Sequence, residues 1–339
     1  MNSEKLPIYL ALSGGGTRAM AFHLGVLKCL AAENVLDRVK KISTVSGGSL
    51  LIGLLLKKNN YKWPTKEEFD SKVFKEVRKE LGNRTLVYQL FSKRLFPNLE
   101  TGGVKAHWLA RGLRDAWGID EKLSDIPESP GWVINATSAE TGKRFYFTQG
   151  KLTCYEVGAI NAEDFSIATA MATSAGFPGG IGPWVLKRDE LSWEKREGLL
   201  RDLPKLHLYD GGIYDNLGLE EFINVGHGLK NGLEAGIVIA SDAGKPLTKS
   251  FKKMPINPLR FQDLFNMSAD QVRSLRVRDF HAMLDRGAIK GAHLRLGISN
   301  KKEHQDLSKE KTSLNGFKKE TLDHLIDHGF ESAKTSFIP

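Results

Sequence analysis

The sequence predicts an α/β fold built around a parallel sheet, and three observations carry that expectation. A short apolar strand runs into Gly14-Gly15-Gly16 and a helical pattern over residues 19–32. A second strand at residues 42–45 runs into Ser46-Gly47-Gly48 and an apolar helix over residues 49–57. Two strands separated by a helix begin a parallel sheet with right-handed crossovers. Much later, residues 235–240 form a continuous apolar run, the pattern of a strand covered on both faces.

The other elements follow in order. From residue 59 to about 125 the chain is rich in charge and aromatics, Tyr61, Trp63, Phe69, Phe74 and Trp117 among them, with helical periodicity. That stretch predicts a helical insertion or cap over about 60–130. Residues 132–137 read as a strand, Thr141-Gly142 as a turn, and residues 144–148 as an alternating strand. Residues 167–178 form a helix of small side chains ending in Gly176 and Pro178, a composition suited to close packing on the sheet. A strand at 206–209 delivers Asp210 into Gly211-Gly212. An Arg-rich helix over 261–285, a last strand at 292–296, a polar loop at 301–311 and a closing helix over 312–329 complete the chain. One domain over 1–339 is the economical reading. Its core covers about 8–298, and about 300–339 form a C-terminal helical extension.

The chain has 339 residues, 41% hydrophobic and 26% charged, enough to bury a full core. Cys29 and Cys154 lie in apolar patterns and read as buried free thiols of a reducing compartment. The N-terminal stretch is too short and badly flanked for a signal peptide, and the longest apolar run, residues 50–56, is far below a membrane span. The expected location is therefore cytoplasmic. A formal net charge of +9 suits an anionic surface or ligand. With no zinc-finger spacing, ribonucleoprotein motif or long basic tract, a nucleic-acid polymer is not the expected partner.

The glycine triplet decides the chemistry. Only glycine lets the backbone turn sharply and aim several N–H groups into one concavity at a helix N-terminus, which attracts negative charge. Read as G-x-G-x-x-A (Gly14, Gly16, Ala19), it resembles a dinucleotide fingerprint, but Ser46-Gly47-Gly48 stands where an acidic ribose ligand is needed. A phosphate loop fails because no Gly-Lys-Ser/Thr follows. There remains an oxyanion hole from Gly14, Gly15, Gly16 and Thr17, reinforced by the helix dipole, with Arg18 as anion or structural support. Thr44-Val45-Ser46-Gly47-Gly48 approximates a G-x-S-x-G nucleophile elbow, with Thr44 in place of the first glycine and Gly48 giving room for close packing. A serine nucleophile needs a base. His281 and His293 lie downstream but lack any local signature. Asp210, delivered by a strand into Gly211 and Gly212, has a better one.

These elements in this order resemble the patatin-like phospholipase family, bacterial members in particular. The resemblance rests on Gly14-Gly15-Gly16-Thr17-Arg18, on Ser46, on Ala172-Thr-Ser-Ala-Gly-Phe-Pro178 and on Asp210-Gly211-Gly212. Asn135-Ala-Thr-Ser-Ala-Glu-Thr-Gly-Lys-Arg144 and Tyr214-Asp-Asn-Leu-Gly218 add to it. It covers about residues 8–298 apart from most of 60–130. It implies a three-layer α/β/α fold with a mostly parallel sheet and a helical insertion. It also implies lipid acyl hydrolysis by a Ser46–Asp210 dyad, without a catalytic histidine, cofactor or metal. The implied partner is a phospholipid membrane surface, met peripherally. Some relatives are anti-phage effectors switched on by a cyclic nucleotide, an activator that the basic charge suits. The rival reading is a lipid- or nucleotide-binding regulatory protein with a vestigial site. Asp210 can act as a base only with a raised pKa, which burial beside an apolar acyl pocket would supply.

Overall fold

Ile8–Leu12 (β1) lies at the heart of the sheet because both its faces are covered, and all five residues are buried. Ile8, Leu10 and Leu12 enter the larger apolar core, whereas Tyr9 and Ala11 enter a smaller one on the opposite face. The computed structural model describes residues 6–83, 104–178, 180–187, 192–194, 203–244, 259–298, 307 and 317–337.

Gly16–Ala32 (α1) follows β1, then Val39–Val45 (β2) and Gly47–Lys58 (α2). β1 pairs in parallel with β2 on one side and with Ile237–Asp242 (β12) on the other. β2 pairs in parallel with Gly131–Ser138 (β3), and β12 with Lys290–Arg295 (β13). The expected parallel sheet is thus the order β13-β12-β1-β2-β3. Beyond β3 the sheet continues antiparallel through Arg144–Thr148 (β4), Lys151–Cys154 (β5), Gly158–Asn161 (β6) and Ser192–Glu194 (β8). Trp184–Lys187 (β7) pairs with Lys205–Asp210 (β9), which itself pairs with β3; the short helix Gly212–Asp215 (α6) and the hairpin of Ile223–Asn224 (β10) and Gly228–Leu229 (β11) follow.

Helices cover both faces. α1, α2 and Ile167–Ser174 (α5) fill the larger core, whereas Phe280 and Met283 of the long helix Leu259–Asp285 (α7) fill the smaller one. The small-residue helix expected before Gly176 is α5, buried throughout. In the insertion, Phe74–Gly82 (α3) and the turns before it bury Phe69, Val73, Val77 and Leu81 in the main core. Val104–Trp117 (α4) buries Leu109, Ala110 and Leu113 there. Residues 84–103 of the insertion lie outside the described residues, as does nearly all of the 301–311 loop. Cys29 and Cys154 are free and buried; burial pushes the Cys29 thiol up to about 11.

The closing helix differs from expectation. It runs over Lys319–Phe337 (α8), past Gly329. Gly329 does not end the helix; it lets α8 touch α1. A Cβ on Gly329 would stand 1.9 Å from the carbonyl oxygen of Phe22, and one on Gly25 1.9 Å from that of Ile326. The pair of glycines marks a crossing of two backbones.

Candidate active site

β3 brings the two candidate reacting groups together. Val45, the last residue of β2, lies opposite Asn135; Asp210, the last residue of β9, lies opposite Ala136. β9 runs antiparallel to β3 and occupies the edge that β2 leaves free at Val45, so the strands end head to head. Ser46 is the next residue after β2, and its side chain stands beside the Asp210 carboxylate, whose pKa it lowers.

Ser46 occupies φ 47°, ψ −114°, a strained conformation for a residue with a side chain. The surroundings enforce it. A Cβ on Gly47 would stand 2.3 Å from the Gly16 carbonyl oxygen, and one on Gly48 2.5 Å from that of Leu12. The elbow therefore packs directly on the glycine turn, as the sequence pattern requires. Behind it is a buried polar chain: Ser46 N–H donates to Ser174 Oγ at 3.0 Å, Ser174 Oγ meets Ser49 Oγ at 2.9 Å, and Ser49 Oγ meets Thr44 Oγ1 at 2.9 Å. Trp132 Nε1–H also donates to Thr44 Oγ1, at 2.9 Å. Thr44, the departure from glycine at the elbow, is thus the acceptor that satisfies a buried tryptophan.

Asp210 is 6% exposed and Ser46 9%, so the pair sits almost dry. Burial pushes the Asp210 carboxyl up to about 7, against the lowering effect of Gly212 N–H, which donates to Oδ1 at 2.8 Å, and of Ser46. The rise expected for a carboxylate base is present. The backbone of Asp210 is fixed at both ends: its N–H donates to Gly176 O at 3.0 Å, and its carbonyl accepts from Thr137 Oγ1 at 2.9 Å. Gly211 is required because a Cβ would meet Asn135 O at 2.6 Å.

The glycine turn lies alongside. Gly15 has φ +144° and Gly16 φ +64°, values that exclude ordinary side chains. The Gly14 N–H is already given to Asn216 O at 3.1 Å, which removes Gly14 from the set of free oxyanion donors. Its part is steric: a Cβ would meet Asn216 Oδ1 at 2.4 Å and Ser46 Cβ at 3.3 Å. Among the described residues no backbone carbonyl accepts from Gly15 or Gly16 N–H. Both lie where α1 begins, as does buried Thr17. Arg18 is completely buried and donates from Nη2 to Ala243 O at 2.7 Å, tying α1 to the end of β12. It supports the turn from behind. His23 does so too: its Nε2–H donates to Ser13 O at 3.0 Å, and its Nδ1 accepts from Ser241 Oγ at 2.7 Å. Burial holds His23 neutral, with its pKa lowered to about 4.

His281 and His293 are elsewhere. His293 sits on β13, separated from β2 by β12 and β1, or roughly 14 Å at the usual strand spacing. Ser174, Asn135 and Asn216 are the polar residues whose roles the sequence did not disclose, although each falls in a stretch the motifs had marked. Asn135 Nδ2 donates to Ser43 Oγ and Thr44 O, both at 2.9 Å, and locks β2 to β3. Beside the Asp210 turn opens a cleft of about 500 Å³, lined by Pro178, Tyr209, Ile213, Tyr214 and Val272 among others.

The comparisons with known proteins show the family and the fold. The patatin-like phospholipase family model matches residues 10–223, from β1 past the Asp210 turn. The chain belongs to the patatin-like phospholipase family. No curated relative matches the sequence. Among solved structures, human GIVD cytosolic phospholipase A2 is similar in fold, with a TM-score of 0.58 at 14% identity over 99% of this chain and 59% of that one. The same human protein in complex with methyl gamma-linolenyl fluorophosphonate gives a TM-score of 0.56 at 15% identity, over 97% of this chain and 57% of that one. The chain thus spans just under three fifths of the human protein's length. Among the described residues, no helix is long and apolar enough to cross a membrane.

Proposed function

We propose that this patatin-like protein is a lipid acyl hydrolase that cleaves carboxylic esters of membrane phospholipids through Ser46 and Asp210. The observation that carries the reading is a strained, buried Ser46 beside a buried Asp210 whose carboxyl is pushed up to about 7 by burial. Asp210 takes the Ser46 proton as Oγ attacks the ester carbonyl, forming the tetrahedral oxyanion. The N–H groups of Gly15 and Gly16, with Thr17 behind them, are placed to hold that oxyanion; each such donor is worth roughly 3–4 kcal/mol in other enzymes. Asp210 then gives the proton to the departing glycerol oxygen, leaving an acyl-Ser46. In the second half, water loses a proton to Asp210 and attacks the acyl carbon. The fatty acid leaves, and the proton returns to Ser46 Oγ. The cleft beside Tyr209, Ile213 and Tyr214 suits an acyl chain.

The test is fatty-acid release from mixed phospholipid vesicles by the wild type, Ser46→Ala and Asp210→Ala, each checked for folding by circular dichroism. Release that both substitutions reduce by 10³-fold or more supports the dyad. Release that persists in Asp210→Ala overturns it. A second reading makes the same hydrolase an anti-phage effector that a cyclic nucleotide switches on, and the net charge of +9 favours it. Its expected outcome is release that appears only when cyclic nucleotides are added. No release under either condition supports the vestigial binding protein instead.

A further inference from the structure

At the far edge of the parallel sheet, the ends of β12 and β13 and the flank of α7 border an open cavity of about 340 Å³. It lies at the same carboxyl end of the strands as Ser46, where open α/β sheets bind their ligands. Asp242 forms its floor, fully buried and saturated with donors. It accepts from Arg273 Nη2 at 2.6 Å, from Gly244 N–H at 2.9 Å and from His293 Nε2 at 3.3 Å. Burial alone would raise its pKa, but His293 and the Arg273 guanidinium hold it well below the usual carboxylate range.

The walls add positive charge without matching negative charge. Arg278, exposed on α7, and half-buried Arg295 of β13 line its mouth. Among the described residues neither side chain has a hydrogen bond or ion pair, in contrast to that of Arg276 on the same helix, which is held by Asp215 and Glu220. Gln271 and Ser274, also on the wall, add neutral donors. Three guanidiniums against one lining carboxylate leave an excess of two positive charges around a space large enough for a phosphate ester. Asp270, which pairs with Arg273 from just outside the lining, reduces that excess to one.

We infer that this cavity is an anion site for a phosphoryl group, with Arg278 and Arg295 as its ligands. The floor is joined to the glycine turn. Asp242 is followed by Ala243, whose N–H donates to Ser13 Oγ at 2.8 Å and whose carbonyl accepts from Arg18. A Cβ on Gly15 would stand 3.0 Å from that same carbonyl oxygen. The phosphoryl group has two sources, a phospholipid headgroup or a soluble phosphate ester, and the site recognises their shared chemistry.

The test is a binding measurement that does not depend on hydrolysis. Full-length Ser46→Ala protein is titrated with inorganic phosphate and with glycerol 3-phosphate, at constant ionic strength, by thermal shift and by ³¹P line broadening. It is also sedimented with vesicles of phosphatidic acid or of phosphatidylcholine. Each measurement is repeated with Arg278→Ala/Arg295→Ala and with Arg111→Ala, a surface control on α4. The expected result is saturable binding of the soluble phosphates, of phosphatidic acid vesicles, or of both, weakened at least tenfold by the double substitution and unchanged by Arg111→Ala. Binding of the soluble esters identifies a diffusible ligand; binding confined to phosphatidic acid identifies the headgroup. Binding that is absent, or that the double substitution leaves intact, or that Arg111→Ala weakens equally, overturns the inference. The failure is separable from that of the hydrolase reading because no catalysis is read.

Discussion

At the scale of single residues, the burial that raises the Asp210 carboxyl costs stability. An acid whose folded pKa is raised binds its proton more tightly in the folded state, so folding loses stability as pH rises between the unfolded and folded values. For Asp210 that window runs from the ordinary 3.8 to about 7. About 3 pH units at 1.36 kcal/mol each give a cost of roughly 4 kcal/mol above pH 7. Asp210→Asn is therefore expected to raise Tm at pH 8, with the gain fading as pH falls and gone below about pH 4, while hydrolysis is lost. Differential scanning calorimetry across pH 4–8 checks this, and an unchanged or lowered Tm at pH 8 counts against it. The wild type's kcat/KM for a soluble ester should rise with pH to a plateau, with its midpoint near 7 rather than 4. Ser46 and Asp210 were legible in the sequence because each ends a strand and precedes glycines that close packing requires. Ser174, Asn135 and Asn216 were not, because each acts on a partner far along the chain. Ser174 meets Ser46 across 128 residues, a distance that no local pattern encodes.

At the scale of elements, strand and helix signals were strong where both faces of a segment are buried, as in β1, β2 and β12. They were weak for β5 and β6, four residues each and half exposed. The decisive pairing, β9 antiparallel to β3 at Ala136–Asp210, is a long-range fact of register, and the sequence showed only that a strand led into Asp210. Gly329 illustrates the opposite failure. In a sequence, a glycine near the end of a periodic run reads as a stop, yet here its lack of a side chain admits α1. This can be tested by substitution. Gly329→Ala or Gly25→Ala forces a methyl onto a carbonyl oxygen that belongs to rigid helix backbone, and overpacking of this kind costs about 1–3 kcal/mol or more. Gly82→Ala, whose nearest new neighbour would be Leu322 Cδ2 at 3.5 Å, is the control and should be neutral or slightly stabilising. Thermal denaturation of the three variants separates the readings: equal Tm values for all of them would mean that α8 does not rest on α1 as described.

At the scale of the whole molecule, a net charge of +9 and one apolar stripe point to the same partner. α7 exposes Leu264, Met267, Val272 and Leu275, which at 100° per residue fall within about 140° of arc. The stripe leads toward the candidate active site, since Val272 also lines the cleft beside Ile213 and Tyr214, two residues that follow directly on the Asp210-Gly211-Gly212 turn. Exposed Phe177 stands next to Gly176, whose carbonyl accepts from Asp210 N–H. Apolar side chains around a cleft, on a chain with a net charge of +9, suit an anionic bilayer, where basic groups add attraction that salt screens. Partial burial of three such side chains in lipid is worth on the order of 3 kcal/mol, or about a hundredfold in partitioning. Leu264→Gln/Met267→Gln/Leu275→Gln is accordingly expected to lower hydrolysis of anionic vesicles by tenfold or more while leaving a soluble short-chain ester within twofold of wild type. Raising salt should weaken vesicle hydrolysis by wild type and leave the soluble reaction alone. If both substrates fell together, the stripe would be part of the folded core rather than the face that meets the membrane, because only a docking role separates the surface reaction from the chemistry at Ser46.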